Sequence, residues 1–278
     1  MELQNKHVLI TGASTGIGRS CALYLVQQGF TVYAGVRLKK DGDSLAKEAG
    51  KRLIPVLLDV IKPDTLKKTL KIVQKNSANF YAVVNNAGIS YGGPLEIMPM
   101  EDFRKTMDVN VFGVIQVLKT FLPLIRENKG RIINIGSVSG IFSTPSTSAY
   151  CASKFALEAL TSALRFELYP FQVPVCMIAP GAIDTPIWNK GIKMWLKSSE
   201  NIEPGLQKSY RKLIDFSVRF TQSRKLNPPE KVAMTVYKAL TVRKPKFRYL
   251  VGTDARLLPV LLKFPQRWIF FLFTKLIY

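Results

Sequence analysis

Short apolar runs recur along the chain, apolar at successive rather than alternate positions: His7 to Ile10, Thr31 to Val36, Leu53 to Leu58, Tyr81 to Val84, Arg131 towards Ser137, Val173 to Ile178 and Phe247 to Val251. Runs of this kind fit strands buried on both faces, as in a parallel sheet covered by helices. Stretches with helical spacing lie between them. Ser20, Ala22, Leu23, Leu25 and Val26 form one such pattern, closed at Gly29. Leu66, Leu70, Ile72 and Val73 turn inward in another, opposite Lys67, Lys68, Lys71 and Lys75. A long helix carries Val109-Asn110-Val111, a further one runs through Leu157, Leu160 and Leu164, and another begins near Pro228-Pro229-Glu230. The segment before it, to about Leu226, reads as irregular. Seven strands alternating with helices predict one α/β domain on a doubly wound, seven-stranded parallel sheet. That domain spans residues 1–254, and an apolar, basic tail occupies 255–278.

The first strand runs directly into Thr11-Gly12-Ala13-Ser14-Thr15-Gly16-Ile17-Gly18 and then into a helix. Strand, glycine-rich turn and helix in that order place backbone N–H groups at a helix N-terminus, where they hold a pyrophosphate, and the glycines let the backbone approach it. The end of the second strand meets the adenosine ribose in such a fold, where a carboxylate favours NAD by accepting from the 2′-hydroxyl. Val36 stands there, followed by Arg37, with Lys39 and Lys40 beyond. A guanidinium without a carboxylate suits a 2′-phosphate, so NADP(H) is the preferred cofactor. NAD(H) stays open if Arg37 only covers the adenine. Asp59-Val60, after the third strand, places a carboxylate for the adenine amino group.

The segment Ser137 to Lys154 carries the reactive candidates. Tyr150 and Lys154 are four residues apart and share one face of a helix. A nearby ammonium is expected to lower the tyrosine's pKa towards a range useful for proton transfer. Ser137, at the end of the fifth strand run, can donate to the same substrate oxygen.

Composition narrows the chemistry. A single histidine, His7, leaves no histidine metal cluster and no Ser-His-Asp triad, and no metal is expected. Three widely spaced cysteines, Cys21, Cys151 and Cys176, form neither a disulfide framework nor a zinc pattern, which fits a reducing compartment. The opening residues have no apolar signal core, so an intracellular place is expected, cytoplasmic or peripheral on a cytoplasm-facing membrane. The net charge is +21, and from Asn189 onward 19 Lys/Arg stand against 5 Asp/Glu, a net +14. Such a surface serves an anionic membrane, nucleic acid or solubility. No nucleic-acid motif accompanies it, and no nucleic-acid partner is expected.

Taken together, Thr11 to Gly18, Asp59, Asn85-Asn86-Ala87-Gly88, Asn110, Ser137, Tyr150-x-x-x-Lys154 and Pro180-Gly181 resemble the short-chain dehydrogenase/reductase family, over residues about 7 to 190. The resemblance implies a Rossmann-type fold and a carbonyl–alcohol oxidoreductase. By the same resemblance, Gly12, Ser14, Thr15, Gly16, Ile17 and Gly18 surround the cofactor phosphates. Asp59 and Val60 meet the adenine, while Asn86, Ala87 and Gly88 meet the adenosine ribose. Pro180, Gly181, Ile183 and Thr185 line the nicotinamide side, with Thr185 on the carboxamide. Tyr150 passes the proton, Ser137 polarises the substrate oxygen, Lys154 holds the nicotinamide ribose, and Asn110 supports a water. The family also implies a homodimer or homotetramer. A cofactor-holding interaction protein at an anionic membrane surface is the rival reading, and the complete Ser137, Tyr150, Lys154 set argues against it.

Two stretches bear on substrate and place. A lid at about 187–226 holds Trp188, Ile192, Met194, Trp195, Leu196, Leu206, Tyr210, Leu213, Ile214, Phe216 and Val218. Such a cover suits a small apolar substrate, a steroid, retinoid or other lipid-like carbonyl or alcohol, as in the retinol and hydroxysteroid dehydrogenase branch; the same groups could instead pack as core or subunit interface. In the tail, Lys263, Pro265 and Arg267 break the apolar run into pieces too short to span a bilayer. Apolar aromatic groups beside cationic ones fit peripheral contact with an anionic membrane, and packing on another subunit is the alternative.

Overall fold

The structure of the protein, a computed structural model, describes residues 5–191, 194 and 203–278. Its strands are β1 (His7–Ile10), β2 (Thr31–Val36), β3 (Leu53–Leu57), β4 (Phe80–Asn85), β5 (Arg131–Ile135), β6 (Val175–Pro180) and β7 (Arg248–Val251). The helices between the first six are α1 (Gly16–Gln27), α2 (Lys39–Ala49), α3 (Pro63–Gln74), α4 (Met100–Met107), α5 (Gly113–Glu127) and α6 (Ser148–Glu167). After β6 come α7 (Pro204–Gln222), α8 (Glu230–Thr241), α9 (Thr253–Leu261) and α10 (Gln266–Ile277). The sheet order is β3-β2-β1-β4-β5-β6-β7, parallel throughout. The direction of strand addition reverses between β1 and β4, which makes the crevice beyond their C-terminal ends the ligand site of this fold.

Alternation along the strands divides the core into two layers. Val8 and Ile10 join Val32, Ala34 and the α8 residues Val232, Val236 and Leu240 on one face. Leu9, Tyr33 and Val83 join Phe121 and Ile125 of α5 and Leu157 and Leu164 of α6 on the other. The helical run Met100–Glu127 is long and apolar enough to cross a membrane, but Val114, Val117, Phe121 and Ile125 are buried in this second layer, so it is a core helix.

Beyond shifts of one residue at strand ends and the two helices of the tail, the observed elements differ from the sequence pattern as follows. Pro204–Gln222 is a helix of 19 residues where an irregular segment was expected. It begins at a proline, as helices often do, and its apolar residues Leu206, Tyr210, Leu213, Ile214 and Val218 recur at helical spacing, although none is fully buried. Ile72 is 39% exposed, and Thr69 takes the inward place between Leu66 and Val73. Strand β6 starts at Val175 rather than Val173, because Val173 N–H is spent on Leu168 O and Pro174 has none to give. At the end of the chain, α10 rests on α7 through Phe273, whose ring lies 6.5 Å from both Phe216 and Phe220.

Candidate active site

The predicted motifs gather at one edge of the sheet, because each follows the C-terminal end of a strand. After β1 the chain turns through Gly12 at φ +65°, where a Cβ would stand 2.9 Å from Ala87 Cα. Only glycine permits both that backbone and that approach. A Cβ on Gly18 would collide with the Gly12 carbonyl, so α1 starts hard against the turn. Thr15 caps α1 without a side-chain hydrogen bond, and no acidic residue lies in its first turn. The helix N-terminus therefore keeps its positive end free for an anion. These features, with Ser14 and Ile17 in the same turn, fit the phosphates of a dinucleotide.

Thr11, absent from the candidate set, organises the neighbouring strand end. Its Oγ1 accepts from Asn86 N and Ala87 N, both at 3.0 Å. The Asn86 carboxamide donates to Thr11 O at 2.9 Å and Gly12 O at 3.0 Å. Asn86 thus ties β4 to the glycine-rich turn with its side chain, beside Ala87 and Gly88. Val36 is buried at the end of β2, while Arg37, Lys39 and Lys40 are exposed. Among the described residues, Arg37 makes no hydrogen bond or ion pair. Asp59 Oδ1 accepts from Ile61 N at 3.3 Å, and Val60 is buried beside it.

Beyond β6, Gly181 N donates to Val251 O and Ala182 N to Asp254 Oδ2 at 2.7 Å, which fixes the Pro180-Gly181 turn. Ile183 is buried and bridges to Asn227, and Thr185 lies against Gly16. The nicotinamide-side and phosphate-side candidates are therefore neighbours.

Between α4 and α5 the helix widens into a single π turn, Asp108–Phe112. The cause is Asn110, which leaves the helical pattern to clasp Ile89: its Oδ1 accepts from Ile89 N and its Nδ2 donates to Ile89 O, both at 2.9 Å. The same Nδ2 reaches Ser153 Oγ at 2.9 Å, and Ser153 in turn donates to Tyr150 O at 2.7 Å. Asn110 is thereby linked to the helix bearing Tyr150 and Lys154. Such π turns occur often at functional sites.

A cleft of about 520 Å³, including its open mouth, lies on the far side of Trp188 from Tyr150, which does not itself line it. It runs between Ser90 to Pro94, Ser146, Thr147, Trp188 and the α7 face bearing Ile214, Ser217, Val218 and Thr221. Trp188 meets the Tyr150 ring edge-on at 5.8 Å. The lid residues Ile192, Trp195 and Leu196 lie outside the described residues.

Residues 6–194 match the family model for short chain dehydrogenase. The chain belongs to the short-chain dehydrogenase family. Retinol dehydrogenase 5 of Mus musculus is 35% identical to it, over 90% of this chain and 82% of that protein. Estradiol 17-beta-dehydrogenase 2 of Mus musculus is 36% identical, over 92% and 71% respectively. A solved short chain dehydrogenase from Burkholderia cenocepacia in complex with NADP superposes with a TM-score of 0.73 at 25% identity, covering 97% of each chain. This short-chain dehydrogenase is an NAD(P)-dependent oxidoreductase acting between carbonyl and alcohol.

The electrostatics of the dehydrogenase correct one expectation. Burial pushes the Tyr150 phenol up to about 12, with Ser137 hydrogen bonding and the Arg224 charge pulling it back in part. Lys154 is not among the groups that lower it. The lysine is itself buried, drawn down to about 8 by desolvation, and its Nζ donates to Ile135 O at 2.9 Å, 5.6 Å from the Tyr150 ring centre. Desolvation of both groups outweighs their proximity. Ser137 Oγ, buried nearby, accepts from Ser139 N at 3.1 Å. Arg224, which no sequence motif marked, is the cation that acts on Tyr150.

Proposed function

We propose that the enzyme interconverts a ketone or aldehyde and its alcohol on an apolar, lipid-like substrate, with NADP(H) preferred over NAD(H). The observation that carries the substrate class is the mostly apolar cleft walled by Trp188, Ile214 and Val218, with Trp188 packed on Tyr150. The names of the relatives, a retinol and an estradiol dehydrogenase, support it. For the cofactor, the support is Arg37, exposed and free among the described residues after a β2 end that carries no carboxylate.

The nicotinamide cofactor supplies the hydride when bound. Gly12 to Gly18 hold its phosphates, Arg37 its 2′-phosphate, Asp59 the adenine, and Thr185 with the Pro180-Gly181 turn the nicotinamide end. The Tyr150 phenol donates its proton to the substrate oxygen, and the Ser137 hydroxyl donates a hydrogen bond to the same oxygen. A phenol pushed up to about 12 is protonated at neutral pH, the form that carbonyl reduction uses, and alcohol oxidation gains as pH rises. Asn110 holds the Tyr150 helix in place through Ser153.

The enzyme also binds an anionic membrane peripherally through α10. This helix of 12 residues is about 18 Å long at 1.5 Å per residue, too short for a hydrocarbon core of about 30 Å. Its exposed Trp268, Phe270, Phe271, Leu272 and Leu276 stand beside Arg267 and Lys275, the combination that interfacial binding uses. The test of the catalytic reading is a panel of lipid ketones, aldehydes and alcohols assayed with NADPH, NADH and their oxidised forms. Faster turnover of apolar carbonyls with NADPH supports it, and activity confined to small polar substrates overturns the substrate class.

A further inference from the structure

We propose that Arg224, held between the Phe220 and Trp188 rings beside Tyr150, recognises an anionic group on the substrate, above all a carboxylate. This rests on the reading of the cleft as the substrate site and narrows the substrate to carbonyl compounds with an apolar body and an acidic group.

Arg224 lies just past the end of α7, in the turn that leads to the Asn227–Ile183 bridge. Its guanidinium carbon stands 4.4 Å from the Phe220 ring centre and 5.4 Å from that of Trp188. Trp188 lines the cleft and touches Tyr150, and Thr221, one turn before Arg224, lines it too. The guanidinium therefore stands one side chain back from the cleft, against the Trp188 that lines it, and near enough to Tyr150 for its charge to act on the phenol. It is partly buried, yet among the described residues it makes no hydrogen bond and no ion pair. Its five N–H donors are held in place by ring faces alone.

A cation withdrawn from water in this way calls for an acceptor. Asp254 acts on Arg224 through its charge but gives its Oδ2 to Ala182 N and forms no ion pair with it. The rings fix the planar guanidinium, and that fork matches the two oxygens of a carboxylate. A wholly neutral substrate would leave the donors unpaired. Trp188 and Thr221 line the substrate cleft rather than the glycine-rich turn, which favours substrate over cofactor as the partner.

The test measures binding to the NADP⁺-loaded enzyme by tryptophan fluorescence, with octanoate and methyl octanoate as a matched acid and neutral ester. Wild type should bind the acid at least tenfold more tightly. Arg224→Gln should reduce acid affinity to that of the ester and leave ester and NADP⁺ affinities unchanged, and Arg224→Lys should recover part of the preference. Arg219→Gln, an exposed cation on α7, should keep the preference and so exclude general attraction to a basic surface. Equal affinities in wild type, or a preference that survives Arg224→Gln, overturn the proposal. A loss of NADP⁺ affinity with the acid preference intact also overturns it and assigns Arg224 to the cofactor. Binding does not require proton transfer, so Tyr150→Phe should keep the preference; failure of the catalytic reading is thus read separately, in turnover.

Discussion

Replacing Lys154 by Met should change stability in a way that depends on pH, with a size set by how far burial disfavours the charge. Lys154 is 5% exposed, and burial draws it from 10.5 to about 8. A gap of that size corresponds to roughly 3 kcal/mol, at about 1.4 kcal/mol per pKa unit. Below pH 8 the folded and unfolded chains both hold the proton, and the folded protein bears the whole penalty. Between about 8 and 10.5 the unfolded chain keeps a proton that the folded chain has released, so wild-type stability rises with pH. Methionine has no such proton. The variant also loses the bond to Ile135 O, and a buried acceptor left unpaired costs about 1–3 kcal/mol at every pH. At pH 7 the two effects nearly offset, leaving Lys154→Met up to about 2 kcal/mol more stable than wild type. Near pH 10.5 it should be about 1–3 kcal/mol less stable. Urea unfolding of both proteins at pH 7, 8, 9 and 10 measures the difference, in which shared titrations cancel. A difference that stays constant with pH to within about 0.5 kcal/mol would refute the reasoning, since a lysine charged throughout gives no swing.

Two further outcomes follow from the exposed cations and the tail. Val36 is buried, so the change of cofactor preference is placed at Arg37: Arg37→Asp removes the phosphate ligand and adds a carboxylate, and should move the kcat/KM ratio towards NADH by more than tenfold, about 1.4 kcal/mol. An unchanged ratio, or a wild type already faster with NADH, removes Arg37 from the cofactor site. For the tail, the triple change W268S/F270S/F271S acts on exposed positions of α10 and spares Ile269 and Phe273, which pack inward. Sedimentation with anionic liposomes should fall while the enzyme stays folded; unchanged sedimentation, or a dissociated oligomer without membrane loss, assigns that face to another copy of the chain.

Most of the sheet was legible because its central strands are buried on both faces and carry apolar runs, as Val8, Leu9 and Ile10 show, split between the two core layers. The glycine-rich turn was legible for a steric reason, since the approach of Gly12 to Ala87 tolerates no side chain. Helix α7 was legible too, although an irregular segment was expected, since Leu206, Tyr210, Leu213, Ile214 and Val218 stand at helical spacing; what the pattern does not give is that all of them are only half-buried. The π turn could not be read locally: it exists because Asn110 binds Ile89, 21 residues away in the chain. The direction of the tyrosine shift was misjudged for a related reason. Four-residue spacing predicts that Lys154 and Tyr150 are close, but not that both are desolvated, and desolvation decides their pKa values. Arg224 belongs to no motif, and its place beside Trp188 and Phe220 comes from the fold alone.

The central claim is that Tyr150 gives the proton to a substrate carbonyl. It is tested most directly by single-turnover reduction of an apolar ketone by NADPH in wild type and Tyr150→Phe, alongside NADPH affinity. Loss of the hydroxyl keeps the ring against Trp188, so NADPH affinity should hold within a few-fold while the reduction rate falls by at least ~10²-fold. A Tyr150→Phe enzyme that reduces the ketone at the wild-type rate would contradict the account.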